Sequence, residues 1–184
     1  IMKNKREEIT KVALKMVSER GYEWLSFQKV ADEVGIAKSS IYHYFKNKEE
    51  LGIEIVKVIV ERIQIQKEKA LTYKKEKEKL DAYLTRSNKA EALYSEAIAK
   101  LSFDFKGLPI NLQNKIRKYS MENHKFILEI LKRGVENKEF NINKNLEEVA
   151  MGIVLMSIGG YIYGRVFDDR NVDISKYITD GFLN

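Results

Sequence analysis

Cysteine is absent from the 184 residues. That excludes disulfides, thiolate zinc sites, cysteine nucleophiles and thiol-based redox sensing. With two histidines in the whole chain, a transition-metal site would have to rest on scattered carboxylates, so no metal and no cofactor is expected. Gly-rich phosphate loops, HExxH and a nucleophile elbow are also missing. The many glutamates sit beside lysines at the spacing of solvated helix faces, and the chain does not read as an enzyme. Its longest uncharged run, VAMGIVLMSIGGYIYG from Val149 to Gly164, falls short of the roughly 20 apolar residues of a membrane span and reads as a buried helix. The N-terminal IMKNKREEITK has no apolar run of the signal-peptide kind. A cytoplasmic protein without membrane contact is the expectation.

Proline is nearly absent too, with Pro109 alone. Long stretches of Lys, Glu, Leu, Ile and Ala favour helix almost throughout. Ile9, Val12, Ala13, Met16 and Val17 form one apolar stripe on a first helix from about Lys5 to Arg20, which Gly21 ends. Tyr22, Trp24 and Leu25 follow and are expected to pack underneath. Ser26 can N-cap a short second helix, Phe27 to Val34. Gly35 supplies a turn, and a third short helix runs from Lys38 to Tyr44. Asn47 with Glu50 has cap-like spacing and opens a long fourth helix. Further helical patterns cover about Lys79 to Leu101, Leu112 to Lys138, Leu146 to Phe167 and Ile174 to Phe182. FDFKGLPIN and NKEFNINKN read as loops. The basic run near residues 67–79 reads as a solvated helix face.

A helix, a short helix, a Gly-containing turn and another short helix make a helix-turn-helix, whose last helix can enter the DNA major groove. Residues 1–50 carry ten Lys or Arg against eight Asp or Glu, so affinity for phosphate must come from where the charges sit. In GIAKSSIYHYFKNKEEL, Ser39 and Ser40 are small enough to let the backbone approach base edges. Tyr42 and His43 follow one helical step on, and Lys38 and Lys48 flank the probe as phosphate clamps. Lys48 also opens a helix whose free amides favour an anion. Gln28 can pair bidentately with adenine.

The segment YEWLSFQKVADEVGIAKSSIYHYFKNKEEL resembles the DNA-binding head of the tetracycline-repressor (TetR) family of bacterial regulators. The likeness runs through Gly21, Ser26, Val30, Ala31, Gly35, Ile36, Lys38, Ile41, Tyr42, Tyr44, Phe45, Lys48, Glu50 and Leu51. It implies an all-α chain of about nine or ten helices. Residues 1–47 would be a three-helix DNA-binding head and residues 48–184 a helical effector-binding and dimerisation body. It implies a homodimer that binds a pseudo-palindromic operator as a repressor and is released by a small molecule. An activator or a ligand-independent regulator of the same fold is the alternative. Gln28, Ser39 and Ser40 become the expected base contacts. Ser26, Lys38, Tyr42, His43 and Lys48 become the expected phosphate contacts. One position departs from the family pattern: Ala37 stands where a serine or threonine often caps the recognition helix, a loss on the order of 1 kcal/mol.

In such a body the last two long helices form the dimer interface. Here that implicates Ile127, Leu131, Val135, Gly152, Met156, Gly160 and Tyr163. Aromatic residues with polar tips, Tyr83, Tyr94, Phe103, Tyr119, His124 and Tyr161, are the candidates for an effector pocket; each taken singly is equally at home in a core or on a surface. Without cysteine, an effector would be held non-covalently, which points to a fairly hydrophobic organic molecule.

Overall fold

In the computed structural model, the structure describes residues 2–85, 89–166, and residues 175, 177, 178, 181 and 183. The fold is all helical: α1 (Met2–Arg20), α2 (Phe27–Val34), α3 (Lys38–Ile41), α4 (Lys48–Leu71), α5 (Glu76–Leu84), α6 (Lys89–Phe103), a 3-10 turn (Phe105–Gly107), α7 (Ile110–Glu136) and α8 (Leu146–Val166). The expected last helix, 174–182, lies largely outside the described residues. Packing groups the chain into two units. One is residues 1–62 with 89–118, and the other is 63–88 with 119–184.

The first unit contains the whole of residues 1–47. Ile9, Ala13, Val17, Val30, Ala31, Ile41, Phe45, Leu51 and Ile55 form its buried interior. Val12 and Met16, placed on the same stripe by periodicity, are only half-buried, whereas Leu14 is fully buried. The reason is that α1 packs against both α2 and α6, so it is covered on more than one side. Tyr22 and Leu25 pack inward as expected, but Trp24 is 37% exposed.

Local chemistry sets the helix ends. Ser26 Oγ accepts from Lys29 N at 3.3 Å, and Gly35, at φ 72 and ψ 38, terminates α2. Ala37 makes no side-chain cap, and α3 stops at Ile41, three residues short of the expected Tyr44. Residues 42–44 continue as a turn held by Tyr44 N to Ile41 O at 2.9 Å. Asn47 Oδ1 caps Glu50 N at 2.8 Å, and Glu50 reaches back to Lys46 N at 2.8 Å. This is one residue beyond the usual reciprocal cap. Asp104, in the loop after α6, accepts from Tyr22 N at 3.1 Å. Gly21 allows this approach, since a Cβ there would lie 2.6 Å from the same carboxylate oxygen at an already left-handed φ of 84.

The second unit is built round Leu80, Ile127, Ile130, Leu131, Phe140, Val149, Ala150 and Ile153, with Ile178 and Leu183 joining them. Three expectations are corrected here. The single helical pattern from Lys79 to Leu101 is two helices, α5 and α6. The basic run 67–79 is not one solvated face: α4 ends at Leu71, and Lys67 and Glu76 are buried. Ile127 and Leu131, expected to face a partner subunit, are 1% and 0% exposed inside their own core. Asn145 does cap α8, accepting from Glu147 N at 2.9 Å and Glu148 N at 3.3 Å.

Candidate nucleic-acid interface

Five of the eight residues expected to touch DNA line one open groove of about 550 Å³ in the first unit: Ser26, Gln28, Lys38, Tyr42 and Lys48. The fold brings them together through three helix starts. Ser26 caps α2, Lys38 begins α3 and Lys48 begins α4. Tyr42 stands at the end of α3 with its ring edge-on to Phe27, centroids 5.0 Å apart, and remains 53% exposed. The buried Phe27 therefore steadies a phenol whose hydroxyl stays in water. Ser39 and His43 are exposed and Ser40 is half-buried.

Gln28 is exposed, and its Nε2 donates to Asp32 Oδ1 at 2.7 Å. An amide carries two N–H and one oxygen, so this bond orients the group and leaves one donor and the acceptor for a base edge. Lys48 is more engaged than its position suggested. Its Nζ donates to the Glu23 carbonyl at 3.0 Å and lies 4.6 Å from the centre of the Tyr22 ring. Burial lowers its pKa, Glu23 opposes that shift, and Lys29 adds to it.

Sequence reasoning missed several members of this surface. Glu23, Lys46 and Asn47 also line the groove. Beside it, Arg20 and Lys29 both lie over Trp24, at 4.7 and 3.5 Å from the ring centre. The exposed Trp24 was the available signal, since a tryptophan between cationic helix ends is placed to stack them.

The residues expected to form an effector pocket are divided between the two units. Tyr83, Tyr119 and His124 belong to the second unit, while Tyr94 and Phe103 belong to the first; the side chain of Tyr161 lies outside the described residues. Tyr83 is hydrogen-bonded to Asn123 Oδ1 and packs edge-on to Phe126 at 4.8 Å. Burial raises its pKa well above 10.0, and Tyr119 adds to the shift. The His124 ring nitrogen Nε2 faces the Glu147 carbonyl at 3.3 Å and must carry the proton there. Phe103 is 66% exposed. Of the expected interface residues, Val135, Gly152, Met156 and Gly160 are half-buried and Tyr163 is exposed. Among the described residues no helix is long and apolar enough to cross a membrane.

Residues 9–55 match the sequence pattern of the bacterial regulatory proteins, tetR family. The fatty acid metabolism regulator protein of Bacillus subtilis strain 168 is 32% identical over 139 residues, which is 71% of this chain. The match spans 64% of that relative's length, just under two thirds. Among solved structures, a TetR-family transcriptional regulator from Agrobacterium tumefaciens superposes with a TM-score of 0.88 at 18% identity, covering 99% of both chains. The regulator FadR from Bacillus subtilis, solved with stearoyl-CoA, gives 0.74 at 20% identity over 95% of both chains. The chain belongs to the tetR family of bacterial regulatory proteins.

Proposed function

We propose that this chain is a transcriptional repressor that binds a pseudo-palindromic operator as a homodimer and is released by a small, fairly hydrophobic effector. The observation that carries the reading is the gathering of Ser26, Gln28, Lys38, Tyr42 and Lys48 around one open groove. Gln28, Ser39 and Ser40 would read base edges; Ser26, Lys38, Tyr42, His43 and Lys48 would hold phosphates. Dimerisation is supported by α8, where Met151, Leu155, Ile158 and Ile162 recur at helical spacing and are 47%, 60%, 43% and 39% exposed. Large apolar side chains lined up along one helix face are costly in water and are usually covered by a partner. The hydrophobic effector is supported by the likeness to a fatty acid metabolism regulator and to a protein solved with stearoyl-CoA.

Selection of bound duplexes from a random pool tests the reading, followed by affinity measurements on the selected site. A repeated half-site with centres about 34–36 Å apart is the expected product. Lys48→Ala should weaken binding to selected and random DNA alike, while Gln28→Ala and Ser40→Ala should change the preferred sequence. Failure to enrich any sequence, with the protein folded, would remove the operator-binding role. Equal losses on both DNAs for all three variants would remove the assignment of readers and clamps.

A further inference from the structure

Lys29 and Lys48 come from different helices, yet both ammonium groups end on the same turn. Lys29 Nζ donates to the carbonyl of Trp24 at 3.1 Å, and Lys48 Nζ donates to the carbonyl of the preceding residue, Glu23, at 3.0 Å. Each nitrogen also lies over a ring, 3.5 Å from the Trp24 centre and 4.6 Å from that of Tyr22. The turn itself is held from below by Asp104, which binds Tyr22 N. A pair of flexible side chains is thereby fixed before any ligand arrives, so less rotamer freedom is left to lose on binding.

Each ammonium has three N–H groups, and its main-chain carbonyl takes one of them. The other two N–H groups on each nitrogen are shared between the ring it lies over and whatever approaches from outside. The charges are near enough to oppose one another, since Lys29 disfavours the protonated form of Lys48. Glu23 is the carboxylate that offsets this, and its side chain is exposed. Arg20, stacked on Trp24 as well, adds a third positive group. Preorganised cations of one sign beside a groove fit an anion presented along an edge.

We propose that Lys29 and Lys48 act as a paired clamp on the phosphodiester backbone of duplex DNA, with Trp24 as the floor of the Lys29 arm. The inference rests on the DNA-binding reading above and adds to it Lys29, from α2, and its pairing with Lys48. Trp24 is the one tryptophan of the chain, so its emission reports on this arm directly.

The test titrates the full chain with a duplex of random sequence, about 30 base pairs long, over a range of salt concentrations. Trp24 emission is read alongside affinity. Each phosphate contact adds about 0.9 to the slope of log K against log salt. Lys29→Ala should therefore lower the slope by about 0.9 per subunit, and the Lys29→Ala, Lys48→Ala double variant by about twice that. Lys29→Arg should restore the slope, and helical circular dichroism should be the same for all forms. An unchanged slope in Lys29→Ala, with the wild type still binding, would overturn the clamp while leaving the DNA reading intact. No binding of any duplex by the wild type at low salt would overturn both. Inorganic phosphate at matched phosphate concentration should leave Trp24 emission unmoved; the same change with phosphate as with duplex would assign the site to a free anion and overturn the duplex clamp.

Discussion

Lys48 in the first unit and Lys67 in the second are held in the same way. Each donates to a main-chain carbonyl, Glu23 at 3.0 Å and Glu122 at 3.2 Å, and each nitrogen sits against a ring, Tyr22 at 4.6 Å and Phe126 at 5.1 Å. In both, burial is the largest cause of a lowered pKa. What differs is where the group ends. Lys48 lines an open groove, so its charge is available to an anion. Lys67 is 9% exposed, so its charge sits in a core and adds a desolvation cost. The first unit arranges its polar groups for display, and the second encloses them. Variants at matched positions can break or sharpen that contrast.

The largest effect should come from the enclosed unit. Phe140 lies so close to α7 that a Cβ at Gly134 would meet its ring carbons at 2.0 and 2.1 Å. Gly134→Ala must displace a ring that is itself 5% exposed. Overpacking of this kind costs about 1–3 kcal/mol, against roughly 1 kcal/mol returned by alanine as the better helix former. Contacts this short place the cost in the upper part of that range, so a net loss of about 1–2 kcal/mol is expected in urea denaturation, recovered in part by adding Phe140→Val. Gly52 shows that the first unit has a similar but looser place, with a Cβ 2.8 Å from Leu112 and Tyr22. If Gly134→Ala proved neutral, tight enclosure would not distinguish the second unit.

The same contrast explains what could be read in advance. The ends of α2 depend on Ser26 and Gly35, and the start of α8 depends on Asn145. Those are local choices written within three or four residues of the helix end, so sequence carries them. Five of the expected DNA contacts meet at one groove because a helix-turn-helix displays its functional residues near chain turns. Burial is a different matter. Nothing next to Lys67 in the chain announces Glu122 or Phe126, which are more than fifty residues away. Asp104 under Tyr22 was hidden for the same reason. Ile127 and Leu131 have the spacing of a partner-facing stripe, and only the packing of Phe140, Val149 and Ile153 beside them turns that stripe inward.

A smaller effect separates the turns of the two units. The first places glycine where the backbone is left-handed, Gly35 at φ 72, with nothing within 4 Å of the point a Cβ would occupy. The second places a lysine there, Lys138 at φ 59, just after α7. A side chain in that region costs about 1–2 kcal/mol, with asparagine tolerated better than most. Gly35→Ala should lose about 1 kcal/mol, and Gly35→Asn less, because the constraint is conformational and not one of space. Lys138→Gly should move the other way and gain up to about 1 kcal/mol. Denaturation midpoints of the three variants check both signs. A loss in Lys138→Gly would mean that the lysine side chain itself holds that turn.

The last effect is no larger than this and carries the clearest sign. Lys67 has its pKa lowered from 10.5 in the folded chain, so between the lowered value and 10.5 the unfolded chain binds more protons. Stability owed to this group therefore rises with pH across that window. Below it, the folded protein holds a charged ammonium in its core, where one carbonyl and the carboxylates of Glu122 and Glu129 only partly offset the loss of water. Lys67→Met keeps a similar length and removes the charge, and should be more stable than the wild type by about 1 kcal/mol near neutral pH. The advantage should shrink as the pH is raised toward 10, because the wild-type amine becomes neutral within the fold. Tyr22, with its pKa pushed up to about 12 by burial and by Glu49, loses stability only above 10 and does so in both forms, so it cancels from the difference. Lys48→Met should show the same direction with a smaller amplitude, since water and salt reach its groove and screen the charge. An equal pH dependence for the two variants would mean that Lys48 is as enclosed as Lys67, and the display of charge at the groove would lose its basis.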